Sequence, residues 1–510
     1  MASRASNIKK GICLSLKPMK NILLICLFFT FSQISCRYPQ GLLIENEINI
    51  KTFGAVADDN GDDTKALQDA FNYCFLKSKT LVLNSGQYII SGPIINSINL
   101  DKGNFTIKCI GNVIIKMADN ARYDDTHLIY LTYHRYGNFN ILGDSLTLDL
   151  KDKLSFGIRL DALGYKNNAE YRDKGGYVEI KSKLTIKNVY ASEKSSGRSA
   201  GIIINGVFDI VNLENTSVIS VGRHVSFPTI PPRGKSTDEA KGIAIVNLKG
   251  KAFIKNAHIE HIYTHNDRDA DGIAVFGYKP RYNPRDENYT SMGSAVIFSP
   301  TIIDAQGRGI KIQCSDVKIS KPYFLRQKLV SILHGNDIDF QWGNGYVENS
   351  VHEYKMYKGI NPIQSKDSYN CIVFQNKLKD APMQSVIDGA LLKSDVPVAN
   401  FVALITGKDA SSWSCDIKNV IIEDSKLSLL NRSFAEMSFN RDYGIPSMKI
   451  VAFVHINLNN VKTQGRLLSY TGYDEKGFTQ KINASFNGKD LLKSNDKRLF
   501  QNLSGNKIME

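Results

Sequence analysis

Five residues stand out in this chain by type and spacing: His224, His265, Asp271, Arg308 and Lys311. Aligning Val218-Ile-Ser-Val-Gly-Arg-His with Ile259-Glu-His-Ile-Tyr-Thr-His brings His224 level with His265. Continuing through Ile302-Ile-Asp-Ala-Gln-Gly-Arg brings Arg308 to the same level. A His–His–Arg stack beside Lys311 and Asp271 joins groups that exchange protons near neutral pH to a cation that keeps its charge. Such a set can remove a proton from a carbon next to a carboxylate and stabilise the charge that develops there. For either histidine alone, a turn cap is the simpler reading. Asp267, Asp269 and Asp271 place three acids in five residues. They read as a solvated turn, or as oxygen ligands for calcium.

Two insertions flank this set. Residues 223–238 include Pro228, Pro231, Pro232, Arg233 and Lys235, and residues 277–292 carry Tyr278, Lys279, Arg281, Tyr282, Arg285 and Tyr289. Tyrosine rings stack on sugars, while Arg and Lys pair with carboxylates or sulfates. Lys241, Lys279, Arg281, Tyr282 and Arg285 are therefore the expected substrate-binding residues. Long loops on a rigid scaffold are where sites gather.

The scaffold is visible as a repeat. Phe156-Gly-Ile-Arg-Leu, Ala200-Gly-Ile-Ile-Ile, Lys241-Gly-Ile-Ala-Ile, Asp271-Gly-Ile-Ala-Val and Arg308-Gly-Ile-Lys-Ile share one pattern, with glycines 44, 41, 30 and 37 residues apart. Apolar residues alternate after each glycine, which is strand period. A degenerate repeat of this length points to a solenoid. The architecture expected is all-β: a single-stranded right-handed parallel β-helix, with the glycines at positive φ in the turns. If each isoleucine after glycine faces inward, the outward set includes Arg159, Asp161, Ile203, Asn205, Ala244, Ala274, Phe276, Lys311 and Gln313. Coils lie roughly 4.8 Å apart, so Lys241, Asp271 and Arg308 form a charged ladder. Ala244 and Ala274 would leave an open floor beside it.

The chain carries a net charge of +14, of which +9 lies beyond residue 35. This suits a polyanionic partner. From Lys20 an apolar core, Ile22 to Phe31, leads to Ser35-Cys36. It is short for a membrane span and has the form of an export signal, with Met19 as a second start. It resembles a bacterial lipoprotein signal, with Cys36 as the lipidated residue and Gln33 where that motif prefers a branched aliphatic. The resemblance implies an outer-membrane lipoprotein, or a periplasmic protein, of a Gram-negative cell; an ordinary signal peptide also leads out of the cytoplasm. The expected division is 1–36 signal, 37–47 linker and 48–510 β-helix. Cys74, Cys109, Cys314, Cys371 and Cys415 form neither a disulfide framework nor a zinc site, and read as small buried residues.

After the linker, Ile50 to Phe53 reads as a strand and Gly54 to Gly61 as an aspartate-rich turn. Asp62 or Asp63 would cap a helix from Thr64 to about Lys77. Phe53-Gly54-Ala55, Asp62-Asp63-Thr64 and Gly86-Gln87-Tyr88 closely resemble the N-terminal signature of the pectate-lyase-like β-helix superfamily. The resemblance implies a helix capping the first coil. It also implies that Asp58, Asp59, Asp62 and Asp63 build the turn and cap. It does not choose a chemistry, because that superfamily includes polygalacturonases, lyases, epimerases and tailspikes.

Asp269-Ala-Asp271-Gly-Ile resembles the polygalacturonase strand "N-T-D-G-I", and Arg308-Gly-Ile-Lys311 resembles its "R-I-K" clamp with one residue inserted. The double aspartate and "G-H-G" of that family are missing between Gly272 and Arg308. An inverting hydrolase needs two carboxyl groups roughly 6.5–9.5 Å apart. β-Elimination fits these residues better: Arg308 would neutralise a uronate carboxylate, Lys311 or a histidine would take the C5 proton, and a tyrosine or histidine would protonate the leaving oxygen. Some β-helix lyases use calcium for the neutralisation. The expected partner is an acidic polysaccharide such as a glycosaminoglycan or pectin, with a membrane reached through the lipid anchor and no nucleic acid. A polygalacturonase-like hydrolase and a non-catalytic adhesion protein are the alternatives.

Overall fold

Three series of strands, paired in parallel, wind through the unit Glu47–Glu510. The computed structural model describes residues 46–95, 100–162, 175–190, 198–206, 208–222, 239–264, 269–278, 293–327, 336–355, 370–376, 383–394, 400–406, 412–424, 433–439, 450–462, 466–471, 479–491, 500–502 and 508–509. Cys36 and the signal segment lie outside these residues.

The first series holds the glycine-opened strands. Leu154–Ala162 pairs with Arg198–Gly206, then follow Glu239–Leu248, Ala270–Gly277 and the start of Arg308–Ser320. The second series runs through Tyr177–Ile180, Ile210–Glu214, Lys251–Lys255 and Ser294–Phe298. The third runs through Lys183–Tyr190, Thr216–Gly222, His258–Tyr263, Thr301–Ala305 and Tyr323–Arg326. Among the described residues the one antiparallel pair joins Thr479–Phe486 to Lys489–Asp490. Each coil thus contributes a segment to each series, with Asp124–Asp149 and Asn336–Tyr354 each running through all three as one strand, and the connections take the right-handed sense of parallel crossovers. This is the right-handed parallel β-helix implied by the resemblance to the pectate-lyase-like superfamily.

The core follows from alternation. Ile158, Ile202, Ile243, Ile273, Ile310 and Ile338 pair in register from coil to coil, and all are buried. Each buried isoleucine stabilises the fold by about 1.5–3 kcal/mol. The helix Thr64–Leu76 turns Leu67, Ala70, Phe71, Cys74 and Phe75 inward. Phe71 and Phe75 pack on Phe105 at 5.3 and 6.1 Å, and Phe75 packs on Tyr133 at 5.4 Å. All five cysteines of this unit are free and buried.

The turn before the helix is built by its aspartates. Asp58 Oδ1 accepts from the Gln87 amide at 2.9 Å, and Asp59 Oδ1 from Gly61 at 2.8 Å. Asp62 Oδ1 accepts from Thr64 N at 2.9 Å, whereas Asp63 turns back to Val56 N at 3.0 Å. Ile50–Phe53 is a 3₁₀ turn rather than a strand, closed by Gly54 at φ 88°; the strand is Glu47–Asn49.

The column glycines have a different role from the one expected. None of Gly157, Gly201, Gly242, Gly272 and Gly309 has positive φ; all lie inside strands. A Cβ on Gly157 would lie 2.5 Å from the Gly201 carbonyl oxygen, and one on Gly242 2.5 Å from that of Gly272. Branched side chains of the third series, Ile186, Val218 and Ile259, crowd the same space. The column is glycine because successive coils and the third series converge there. Gly201→Ala, which meets Val218, is expected to lower stability by about 1–3 kcal/mol, read from urea unfolding. An unchanged midpoint would show that the corner has room to spare.

Candidate functional site

The residue before each column glycine points away from the core, so the charged ladder is set by register. Lys241 pairs with Asp271, and Ile273 pairs with Ile310, which puts Arg308 on the other side of Asp271. Asp271 is wholly buried between them. Its Oδ2 lies 3.1 Å from Lys241 Nζ, and its Oδ1 accepts from Arg308 Nε at 2.7 Å. Asp269 stands just before the strand on left-handed backbone, φ 48°. Its Oδ1 accepts from Lys311 Nζ at 3.0 Å and also from Arg308 Nη2. One carboxylate oxygen is thereby shared by an arginine and a lysine. Lys311 Nζ also lies 5.4 Å from the centre of the Phe276 ring.

Asp339 completes the group. It pairs in register with Lys311, and its Oδ2 is 3.7 Å from Arg308 Nη1. Gln341 and Gln375 donate to its two oxygens at 3.1 and 2.7 Å. The strand Arg308–Ser320 is anchored from inside by Arg326. That guanidinium donates to the carbonyls of Ala305 at 2.5 Å, Gly307 at 3.2 Å and Asn336 at 3.3 Å, and to Asp337 Oδ1 at 2.9 Å. Asp337 continues the glycine column in the next coil. Its Oδ2 meets His352 Nδ1 at 2.6 Å and also the Tyr354 hydroxyl.

Electrostatics hold the ladder charged. Burial pushes the Asp271 carboxyl up, but Arg308, Lys241 and Lys311 hold it well below the usual carboxylate range. Asp269 is likewise raised by burial and, on balance, lowered by Lys311 and Arg308. Burial works against the charge of Arg308 and Lys241, yet the neighbouring aspartates raise both. Three cations thus face three aspartates. Asp269 is the most open of the six, with a third of its side chain exposed.

The expected residues Lys241, Asp271, Arg308, Lys311 and Asp269 therefore come together. His224, His265, Asp267, Lys279, Arg281, Tyr282 and Arg285 lie outside the described residues. Arg308 opens its strand rather than standing in the turn before it. Ala244 and Ala274 are buried, so they are no open floor. Calcium does not fit Asp269 and Asp271: each already takes two cationic side chains, and a dication would meet three like charges. Asp339 and its glutamines escaped sequence reasoning. Asp339 has the parity of Lys311 and could have been found by continuing the column past its last glycine.

No family model matches the chain, and no curated protein does. Similar solved structures include the surface protein and adhesin PfbA of Streptococcus pneumoniae, at 12% identity and TM-score 0.38, covering 86% of this chain and 97% of that one. Another is the A-module of the Azotobacter vinelandii mannuronan C-5 epimerase AlgE4, at 13% identity and TM-score 0.34, covering 91% and 100%. A third is a tailspike protein mutant of E. coli bacteriophage HK620 in complex with a pentasaccharide, at 8% identity and TM-score 0.35, covering 87% and 78%. The architecture of this chain stands on its own strand pairing.

Proposed function

We propose that the protein is an exported lyase that cleaves an acidic, uronic-acid-containing polysaccharide, such as a glycosaminoglycan or pectin, by β-elimination at the face carrying Lys241, Asp271, Arg308 and Lys311. The observation that carries this reading is the Asp269 carboxylate held between Arg308 and Lys311. A uronate carboxylate entering there would take the same two contacts as Asp269 swings out. Arg308 then stabilises the charge that builds on that carboxylate as the C5 proton leaves. His265, or Lys311 acting as the neutral amine, takes the proton, the C4–O bond breaks as the C4–C5 double bond forms, and Tyr282 or His224 protonates the departing oxygen.

A glycosidase needs a carboxyl that stays protonated to act as acid. Asp269 and Asp271 are both pushed towards the anion, which favours elimination over hydrolysis. A second reading, glycan binding without turnover, draws on the completeness of the ion pairs, since each cation of the ladder already has a carboxylate. Incubation with a panel of acidic polysaccharides separates the readings. Ultraviolet absorbance from an unsaturated product is expected. New reducing ends without absorbance mean hydrolysis, and binding without cleavage means an adhesin.

Export rests on the apolar run that ends at Ser35-Cys36. Cys36→Ser is expected to release the protein from the membrane fraction of the producing cell. Unchanged fractionation would remove the lipid anchor.

A further inference from the structure

Several coils before the charged ladder, the same face carries a constellation that the proposed chemistry does not use. The column that holds Lys241 and Asp271 begins with His127 and Phe156, which pair in register, followed by Ala200. Phe156 is three coil steps from Asp271, about 14 Å along the axis. The His127 ring stacks on Phe156 at 4.5 Å and 19°, and on Tyr130 at 4.9 Å and 24°. Arg159, beside Tyr130 in register, has its guanidinium carbon 5.5 Å from the Tyr130 ring centre. All four side chains are part-exposed, and Arg159 leaves 31% of its side chain to solvent.

These groups are fixed in place. Asp161, nearly fully buried, accepts from Arg159 Nε at 3.1 and 3.0 Å, lies 2.9 Å from Arg159 Nη2, and accepts from the Tyr130 hydroxyl at 3.0 Å and from Asn205 Nδ2 at 3.1 Å. Asn247 in turn donates to Asn205 Oδ1 at 2.9 Å. A chain of hydrogen bonds therefore runs from Tyr130 along the coil axis to the strand that carries Lys241. Burial, then Arg159, pulls the His127 imidazole down to about 4, so the ring stack is uncharged at neutral pH.

Two features define the ligand. Part-exposed stacked rings beside fixed planar donors suit the apolar face and hydroxyl edge of a pyranose. The charge of Arg159 is already met by Asp161, so the patch offers directed N–H groups and little net positive charge. The ladder differs: there the carboxylate shared by two cations, Asp269, is a third exposed and can give way to a ligand carboxylate, whereas Asp161 is buried beneath Arg159. We propose that Tyr130, His127, Phe156 and Arg159 form a binding subsite for an uncharged sugar unit. The polymer handled by this protein would then be a heteropolysaccharide in which neutral units alternate with uronates, long enough to reach both places. The inference rests on the reading that the protein handles a polysaccharide, but not on elimination as its chemistry.

The test uses calorimetric titration of the whole protein with two hexasaccharides, an oligogalacturonate and a hyaluronan fragment in which uronate alternates with a neutral N-acetylhexosamine. The wild type is expected to bind the alternating ligand at least about tenfold more tightly. Tyr130→Leu and Phe156→Leu should bring the ratio of the two affinities close to one, while Tyr130→Phe, which keeps the ring, should preserve it. Melting curves on the same samples confirm that each variant is folded. A ratio that survives both leucine variants overturns the subsite, and so does a wild type with no preference or no saturable binding. If the ratio behaves as expected but no unsaturated product forms, elimination fails and the subsite stands. If product forms and the ratio ignores Tyr130 and Phe156, the subsite fails and elimination stands.

Discussion

Arg326→Met is expected to destabilise the protein by about 3–5 kcal/mol, as when one partner of a buried ion pair is removed. Asp337 has no exposed surface, and Arg326 has 5%. Burial alone pushes the Asp337 carboxyl up; Arg326, with hydrogen bonds from His352 and Tyr354, brings it down to about 2. Its pKa in the folded protein thus lies below the value of about 3.9 for a free aspartate. The stabilisation is present above about pH 4 and is lost as the pH falls towards 2. Without Arg326 the folded-state pKa rises, so acid unfolding should begin at higher pH. The same substitution releases the carbonyls of Ala305 and Gly307, which precede Arg308. Urea unfolding at neutral pH and an acid titration measure both effects. An unchanged urea midpoint and acid profile would mean that His352 and Tyr354 suffice to hold Asp337.

Arg308→Ala is expected to lower kcat and kcat/KM together by at least about a hundredfold, as for loss of one preorganised charge-stabilising donor. It should also lower stability, because Asp271 is left buried with Lys241. Arg308→Lys separates the two effects. A lysine keeps a positive charge near Asp271 but cannot contact Asp269 and Asp271 as a fork. The lysine variant should regain much of the lost stability and little of the turnover. Normal kcat per folded molecule in either variant would sink the assignment. Lys311→Ala and His265→Ala, compared by pH profile, then identify the base, since only loss of the true base removes its ionisation.

The glycine-isoleucine column was legible because alternation and recurrence are local properties of a sequence. Lys241, Asp271 and Arg308 could be placed in one ladder from their position before each glycine, and the register agrees. The reason for the glycines was not legible. It lies in the approach of Gly201 to Gly157, of Ile186 to Gly157 and of Val218 to Gly201, contacts between residues that do not neighbour one another in the sequence. Asp339 was hidden because the column passes from Gly309 to Asp337, and the pattern stops where the side chain grows. The ring stack was half visible. Phe156 and Arg159 belong to a glycine-opened strand, but their partners His127 and Tyr130 lie in Asp124–Asp149, which does not begin that way.

The coil corners separate two kinds of evolutionary freedom. Strand partners stay aligned from coil to coil, apart from local bulges: Lys251 sits opposite Ser294 and Ile273 opposite Ile310. Yet the chain between successive glycines varies from 30 to 44 residues. Length is thus added between rungs without disturbing them. Grafting a different segment between Tyr278, which is itself buried and bonded to Leu248, and Gly293, where both flanking strands are locked to their neighbours, would change the inserted chain while leaving the core untouched. A scaffold of this kind can be retargeted by splicing, with no need to redesign its interior.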